Sequence, residues 1–171
     1  MPVTRLVSPR DAKALAALVT RNREFLAPWE AERDDSYFTV NKQQQIIARE
    51  LDAYDYGSIV PMVITDEAGH VAGRISINGI SRGSFLSASV GYWVSQEVNG
   101  RGLATAAVGE AIGIAFGRIG LHRLQAETLL HNTASQRVLT RNGFRPFGVA
   151  PSYLKIAGQW QDHILFHLLN E

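Results

Sequence analysis

The chain has 171 residues, 46% of them hydrophobic and 19% charged, enough for one domain with a core that needs no covalent staples. It contains no cysteine, which excludes disulfides, zinc–thiolate sites and cysteine nucleophiles. A formal net charge of +1 lacks the strongly basic face that nucleic-acid binding uses, so no nucleic-acid partner is expected.

Thr4 to Ser8 reads as a first short strand, and Pro9-Arg10-Asp11 opens a helix in which Leu15, Leu18, Val19 and Asn22 share one face. Phe25 to Ser36 has no period and reads as a loop; Asn41 is the expected cap of a second helix carrying Ile46, Ile47, Leu51 and Tyr54. The period then changes to two over Ser58–Thr65, His70–Ile80 and Ser84–Val94, with Asp66 to Gly69 as the first hairpin turn. Gly100 to Arg118 is helical and apolar on most sides, as for a helix packed on a sheet. A strand over His122–Leu129 follows, then a helix over Asn132–Asn142 stopped by Gly143. A strand over Phe144–Ala150 and a final hairpin turning near Ala157-Gly158, with Trp160–Leu169 returning, complete the order β-α-α-β-β-β-α-β-α-β-β. Three successive strands without helices between them predict a mixed α/β fold rather than a doubly wound one. The Lys13–Val19 run is too short for a secretory leader, and no stretch approaches the roughly 18 apolar residues of a membrane span. A soluble cytoplasmic protein without membrane contact is expected.

Gly100-Arg101-Gly102 stands where a strand hands over to a helix. A P-loop needs a lysine there, and none occurs between Lys42 and Lys155; a dinucleotide fingerprint needs glycine where Thr105 stands. Two readings remain: a tight turn that needs glycine, or an anion site built from the free amides of the helix N-terminus.

Gly100-Arg-Gly-Leu-Ala-Thr105, then Asn132-Thr-Ala-Ser135 and Asn142-Gly-Phe144, resemble the GNAT superfamily of N-acetyltransferases. More narrowly, GYWV, GRGLATAA, LHRLQAETLLHNTASQRVLTRNGF and WQDH over residues 91–168 are similar to the ribosomal-protein N-terminal alanine acetyltransferase (Rim-type) branch. The resemblance implies a mostly antiparallel mixed sheet flanked by helices, the strand before the glycine turn bulging and splaying from its neighbour to admit acetyl-CoA as cosubstrate. It implies that Tyr92, Trp93 and Val94 face the pantetheine and thioester, with a backbone N–H near Val94 as oxyanion donor. Gly100, Arg101, Gly102, Leu103, Ala104 and Thr105 would hold the diphosphate, and Asn132 and Ser135 would complete the cofactor side. Glu97 departs from the pattern, which has Gln or Arg there. Leu139 stands where many relatives carry a thiolate-protonating tyrosine, so Ser135 is the implied thiolate donor. The bland alternatives are a first-turn serine and an N-cap asparagine at Ser135 and Asn132.

The implied reaction is direct acetyl transfer to a primary amine, favouring a protein N-terminal α-amine such as that of a ribosomal protein. Alternatives are a small-molecule amine acceptor and a non-catalytic acyl-CoA sensor. Candidate bases are Glu127, Glu30 and Asp162, and no spacing selects among them. Trp29, Glu30 and Tyr153 are the expected acceptor wall. His131 reads as an exposed turn residue. His163 and His167 share strand parity without further ligands at metal spacing, so no metal is expected. The protein is expected as a monomer or homodimer.

Overall fold

The computed structural model describes all 171 residues. In chain order the elements are β1 (Thr4–Leu6), α1 (Ala12–Arg21), α2 (Arg23–Leu26), α3 (Val40–Asp55), β2 (Val60–Thr65), β3 (Val71–Ser81), β4 (Ser87–Val94), α4 (Leu103–Gly113), β5 (Arg123–Leu129), α5 (Thr133–Arg141), β6 (Arg145–Ile156) and β7 (Gln159–Leu169). The seven strands form one sheet in the order β1-β2-β3-β4-β5-β7-β6, antiparallel throughout except for the β4–β5 pair. No helix is long and apolar enough to cross a membrane.

The sheet buries both faces. Alternation on β4 sends Ala88 and Val90 into the larger core with α4, α5 and Phe144, while β2 turns Val63 toward Val7, Leu15 and Ile47 from α1 and α3. On α4 the small residues Ala107 and Ala111 recur at four-residue spacing, and Ala115 continues the row into the π-turn at Ile114–Arg118. All three are fully buried, so the helix backbone lies close on the sheet.

Local chemistry moved several predicted boundaries. Thr39, not Asn41, caps α3: its backbone is extended, and its hydroxyl accepts the Lys42 N–H at 3.2 Å. The predicted loop over Phe25–Ser36 contains the end of α2 and two 3₁₀ turns, Ala27–Trp29 begun with Pro28 and Asp35–Phe38 capped by Asp34. Such single turns are too short to show an apolar period. The α4 helix begins at Leu103 because Gly100 and Gly102 hold φ of +77° and +80°, which L-residues avoid. Strand β6 runs past Ala150 to Ile156 through a register shift, where Ser152 at φ +46° donates its N–H to the exposed Asp162 carboxylate at 2.8 Å. That contact gives Asp162 a role in holding the bulge.

Candidate active site

Strands β4 and β5 pair only at Ser87–Ser89 with Arg123–Gln125, then part. The bulge expected on β4 is not beside the glycine turn; the register shift lies on the β3 side, at Asn78–Ser81 around Gly79. Ser95 N–H donates to Ala72 O at 2.7 Å, so the two-residue alternation of an antiparallel ladder turns the Trp93 and Gly91 amides toward β3. The Tyr92 and Val94 backbone groups therefore face the gap that β5 has left. The Val94 N–H is thus left without a partner strand, beside residues that line the cavity described next. Buried Asn22 holds the strand end in place: its carboxamide accepts the Gln96 N–H at 2.9 Å and donates to Ser95 Oγ at 3.1 Å.

One side of the gap opens into a cavity of about 450 Å³ lined by Trp93, Val94, Gly100, Gly102, Leu103, Ala104, Thr105, Asn132 and Ser135. A Cβ built on Gly100 or Gly102 meets nothing within 4 Å, so the glycines leave open space over the free amides of α4. That cradle fits a diphosphate. Asn142 fixes it from behind, donating to Thr105 O at 3.1 Å and Val138 O at 3.0 Å. Arg101 is exposed and outside the lining; Arg137 and Arg141 of α5 line the cavity instead. These two arginines were not singled out in the sequence, although their four-residue spacing on α5 is visible there. Glu97 turns away from the cavity to the Arg21 guanidinium at 3.5 Å, both side chains being exposed. The acid therefore does not oppose a diphosphate.

Asn132 caps α5, its Oδ1 accepting the Ser135 N–H at 3.2 Å, while it also lines the cavity. Leu139 is fully buried in the core. A tyrosine hydroxyl nonetheless reaches this place from β4: Tyr92 OH lies 2.8 Å from Ser135 Oγ and 3.3 Å from Ser135 O. Burial pushes the Tyr92 phenol up to about 12, outweighing the opposing hydrogen bond to Ser135, so it stays protonated at working pH. The pair presents a continuous hydroxyl donor to the gap.

The other side of the gap is a partly open cleft of about 220 Å³ lined by Trp29, Glu30, Gly91, Trp93, Glu127 and His163, among others. Its wall is closed where Ala157 N–H, at the β6–β7 turn, donates to Glu30 O at 2.9 Å. Burial raises the Glu30 carboxyl, with Arg33 at 3.9 Å pulling it partly back. The Glu127 carboxylate meets water at the cleft mouth, yet the surrounding protein raises it also, against the pull of His163. His163 is buried, its Nδ1 2.9 Å from Gln161 O. Tyr153 lies outside the lining, edge-on to His163 with ring centroids 5.8 Å apart; His131 packs against Trp29 at 5.3 Å. His167 stacks on Phe147, away from the cleft. No group of three side chains that hold metals stands together.

Comparison with known proteins agrees with the fold and with the resemblance seen in the motifs. A family model described as an acetyltransferase (GNAT) domain matches residues 3–145. The chain is 35% identical over 164 residues to the ribosomal protein uS5-alanine N-acetyltransferase of Escherichia coli, covering 95% of this chain and 84% of that protein. The crystal structure of the ribosomal-protein-S5-alanine acetyltransferase from Vibrio fischeri superposes with a TM-score of 0.94 at 33% identity, covering 98% of this chain and 92% of that one. Mycobacterium smegmatis RimJ in complex with CoA-disulfide superposes at 0.93 and 32% identity, covering 97% and 80%. From its motifs, its splayed sheet and these similarities together, the chain is a member of the GNAT acetyltransferase family.

Proposed function

We propose that this acetyl-CoA-dependent N-acetyltransferase acts on a protein N-terminal α-amine, in the cytoplasm, and that its acceptor is a ribosomal protein. The observation that carries this reading is that the glycine cradle and the acid-lined cleft meet at Tyr92–Val94, where β4 and β5 part. The uS5-alanine acetyltransferase similarity supports the acceptor class.

The chemistry follows from that meeting point. An α-ammonium enters the cleft beside Glu30 and Glu127 and gives a proton to the carboxylate pair or to a water held by it. Freeing an α-amine of pKa about 7.7–8.0 costs about 1 kcal/mol at pH 7, against about 4–5 kcal/mol for a lysine. A modest base therefore suffices for protein N-termini. The amine nitrogen attacks the thioester carbonyl, and the Val94 N–H takes the developing oxyanion. The attacking nitrogen, now positively charged, gives its extra proton to water or to the carboxylate pair as the C–S bond breaks, leaving a neutral amide and a thiolate. Moving a proton from a phenol near 12 to a thiolate of pKa about 8.5 is uphill by roughly 5 kcal/mol. The Tyr92–Ser135 pair thus acts as a hydrogen-bond donor to the thiolate, which takes its proton from solvent.

Initial rates and mass spectrometry with acetyl-CoA and a panel of N-terminal peptides and small amines test this. Intersecting rate patterns and acetylated peptide α-amines are expected. Turnover confined to small amines would overturn the acceptor class, and CoA binding without turnover would overturn catalysis.

A further inference from the structure

A second cavity adjoins the acceptor cleft along β4. Of about 370 Å³, it lies between α1, α3 and strands β3 and β4, and it shares Gly91 and Trp93 with the cleft that holds Glu30 and Glu127. Nothing in acetyl transfer itself uses it, yet its walls are polar: Arg33, Tyr37, Glu50 and Arg74 line it. Arg74 donates to Glu50 at 2.5 Å and to Met62 O at 3.3 Å, both side chains being largely withdrawn from water. Arg33 has only a loose contact with Glu30 at 3.9 Å, its guanidinium lying over the Tyr37 ring at 4.4 Å. The Tyr37 hydroxyl has no side-chain or backbone partner at hydrogen-bond distance. Arg74 is thus matched by Glu50, whereas Arg33 touches Glu30 only loosely, so the Arg33 donor fork and the Tyr37 hydroxyl face the cavity without a protein acceptor at hydrogen-bond distance.

Resting on the α-amine reading above, we infer that this cavity is a specificity subsite for an acidic side chain at the second or third residue of the acceptor peptide. The charge pattern matches such a chain end to end, with the ammonium at Glu30 and Glu127 and a carboxylate at Arg33 and Tyr37. The two sites adjoin, because Arg33 stands 3.9 Å from Glu30 and the cavities share a wall at Gly91–Trp93, and an extended chain advances about 3.3–3.6 Å per residue. Arg33 supplies a planar donor fork, which suits a carboxylate better than a carboxamide.

The test compares kcat/KM at low salt for alanine-initiated peptides bearing Glu, Gln or Lys at the second or third residue. In the wild type the Glu peptide is expected to exceed its Gln counterpart at least tenfold, with the Lys peptide slowest. Arg33→Gln should bring the Glu-to-Gln ratio to within about twofold of unity, mainly through KM for the Glu peptide. Tyr37→Phe should lower the same ratio partially. The ratio between peptides cancels any effect of Arg33 on Glu30 or on folding. A free amine carrying a carboxylate on a short alkyl tether is the small-molecule arm, and it is expected to be a poorer substrate than the Glu peptide. Equal rates for Glu and Gln peptides in the wild type, or a ratio that neither substitution changes, overturn the subsite while leaving the α-amine reading intact. Acetylation of small amines but of no peptide overturns both.

Discussion

Gly102→Glu, set against Gly102→Ala, separates what the glycine turn does for folding from what it does for acetyl-CoA. Both substitutions place an L-residue at φ +80°, at a cost of about 1–2 kcal/mol. No atom lies within 4 Å of the added Cβ, so no steric cost joins that strain. For a chain of this length the loss corresponds to a fall in Tm of a few degrees, the same in both variants. Binding should separate them. A carboxylate about 5 Å from the nearer phosphate charge, at an effective dielectric of about 20, is repelled by about 3 kcal/mol, the farther charge being screened by solvent. CoA affinity should therefore fall about 100-fold further for Glu than for Ala. Titration calorimetry with CoA, beside thermal melts without ligand, measures both quantities. Equal CoA affinities in the two variants would refute the diphosphate cradle, even if both melted early.

Four other outcomes follow from the same geometry. Tyr92→Phe and Ser135→Ala should each lower kcat about 10- to 100-fold, with the KM for acetyl-CoA nearly unchanged, in single-turnover and steady-state assays. Because the surrounding protein raises both Glu30 and Glu127, kcat/KM should rise with pH through an acid limb displaced upward from that of a free carboxylate; Glu127→Gln should lower the rate and flatten that limb. Asn22→Ala leaves the Gln96 N–H unpaired and should cost about 1–3 kcal/mol in urea unfolding while weakening CoA binding through the loosened β4 end. Asp11 is buried and that burial opposes its charge, but Arg5 and the Ser8 N–H hold its pKa below the usual value. Its contribution to stability is present above the unfolded carboxylate pKa and is lost as pH falls through the lower folded one, so Asp11→Asn should remove that part of the acid-side slope in stability.

The parts of this fold that were legible are those with a period or a fixed backbone requirement. The apolar run Val60–Thr65, the alternation in Val71–Ser81, the apolar α4, and Gly143 after α5 all lie where their residues predicted. The mostly antiparallel sheet and the family membership agree with the expectation drawn from the motifs around Gly100–Thr105 and Asn132–Ser135. The opaque parts depend on contacts distant in sequence. No spacing rule brings Tyr92 to Ser135, because their separation of 43 positions crosses α4 and β5 before the hydroxyls meet. Glu97 looked misplaced beside a diphosphate because its partner, Arg21, lies on another element. The second cavity is assembled from Arg33, Glu50 and Arg74, three charges in separate segments that no local pattern joins.

The central claim, direct acetyl transfer to an α-amine at the parting of β4 and β5, is tested most directly by a peptide that carries both a free N-terminal alanine and an internal lysine. Incubated with acetyl-CoA at pH 7 and sequenced by mass spectrometry, it should gain one acetyl group on the α-amine. The deprotonation costs alone favour that site by at least about 100-fold over the lysine. Acetylation of the lysine at a comparable rate would contradict the account.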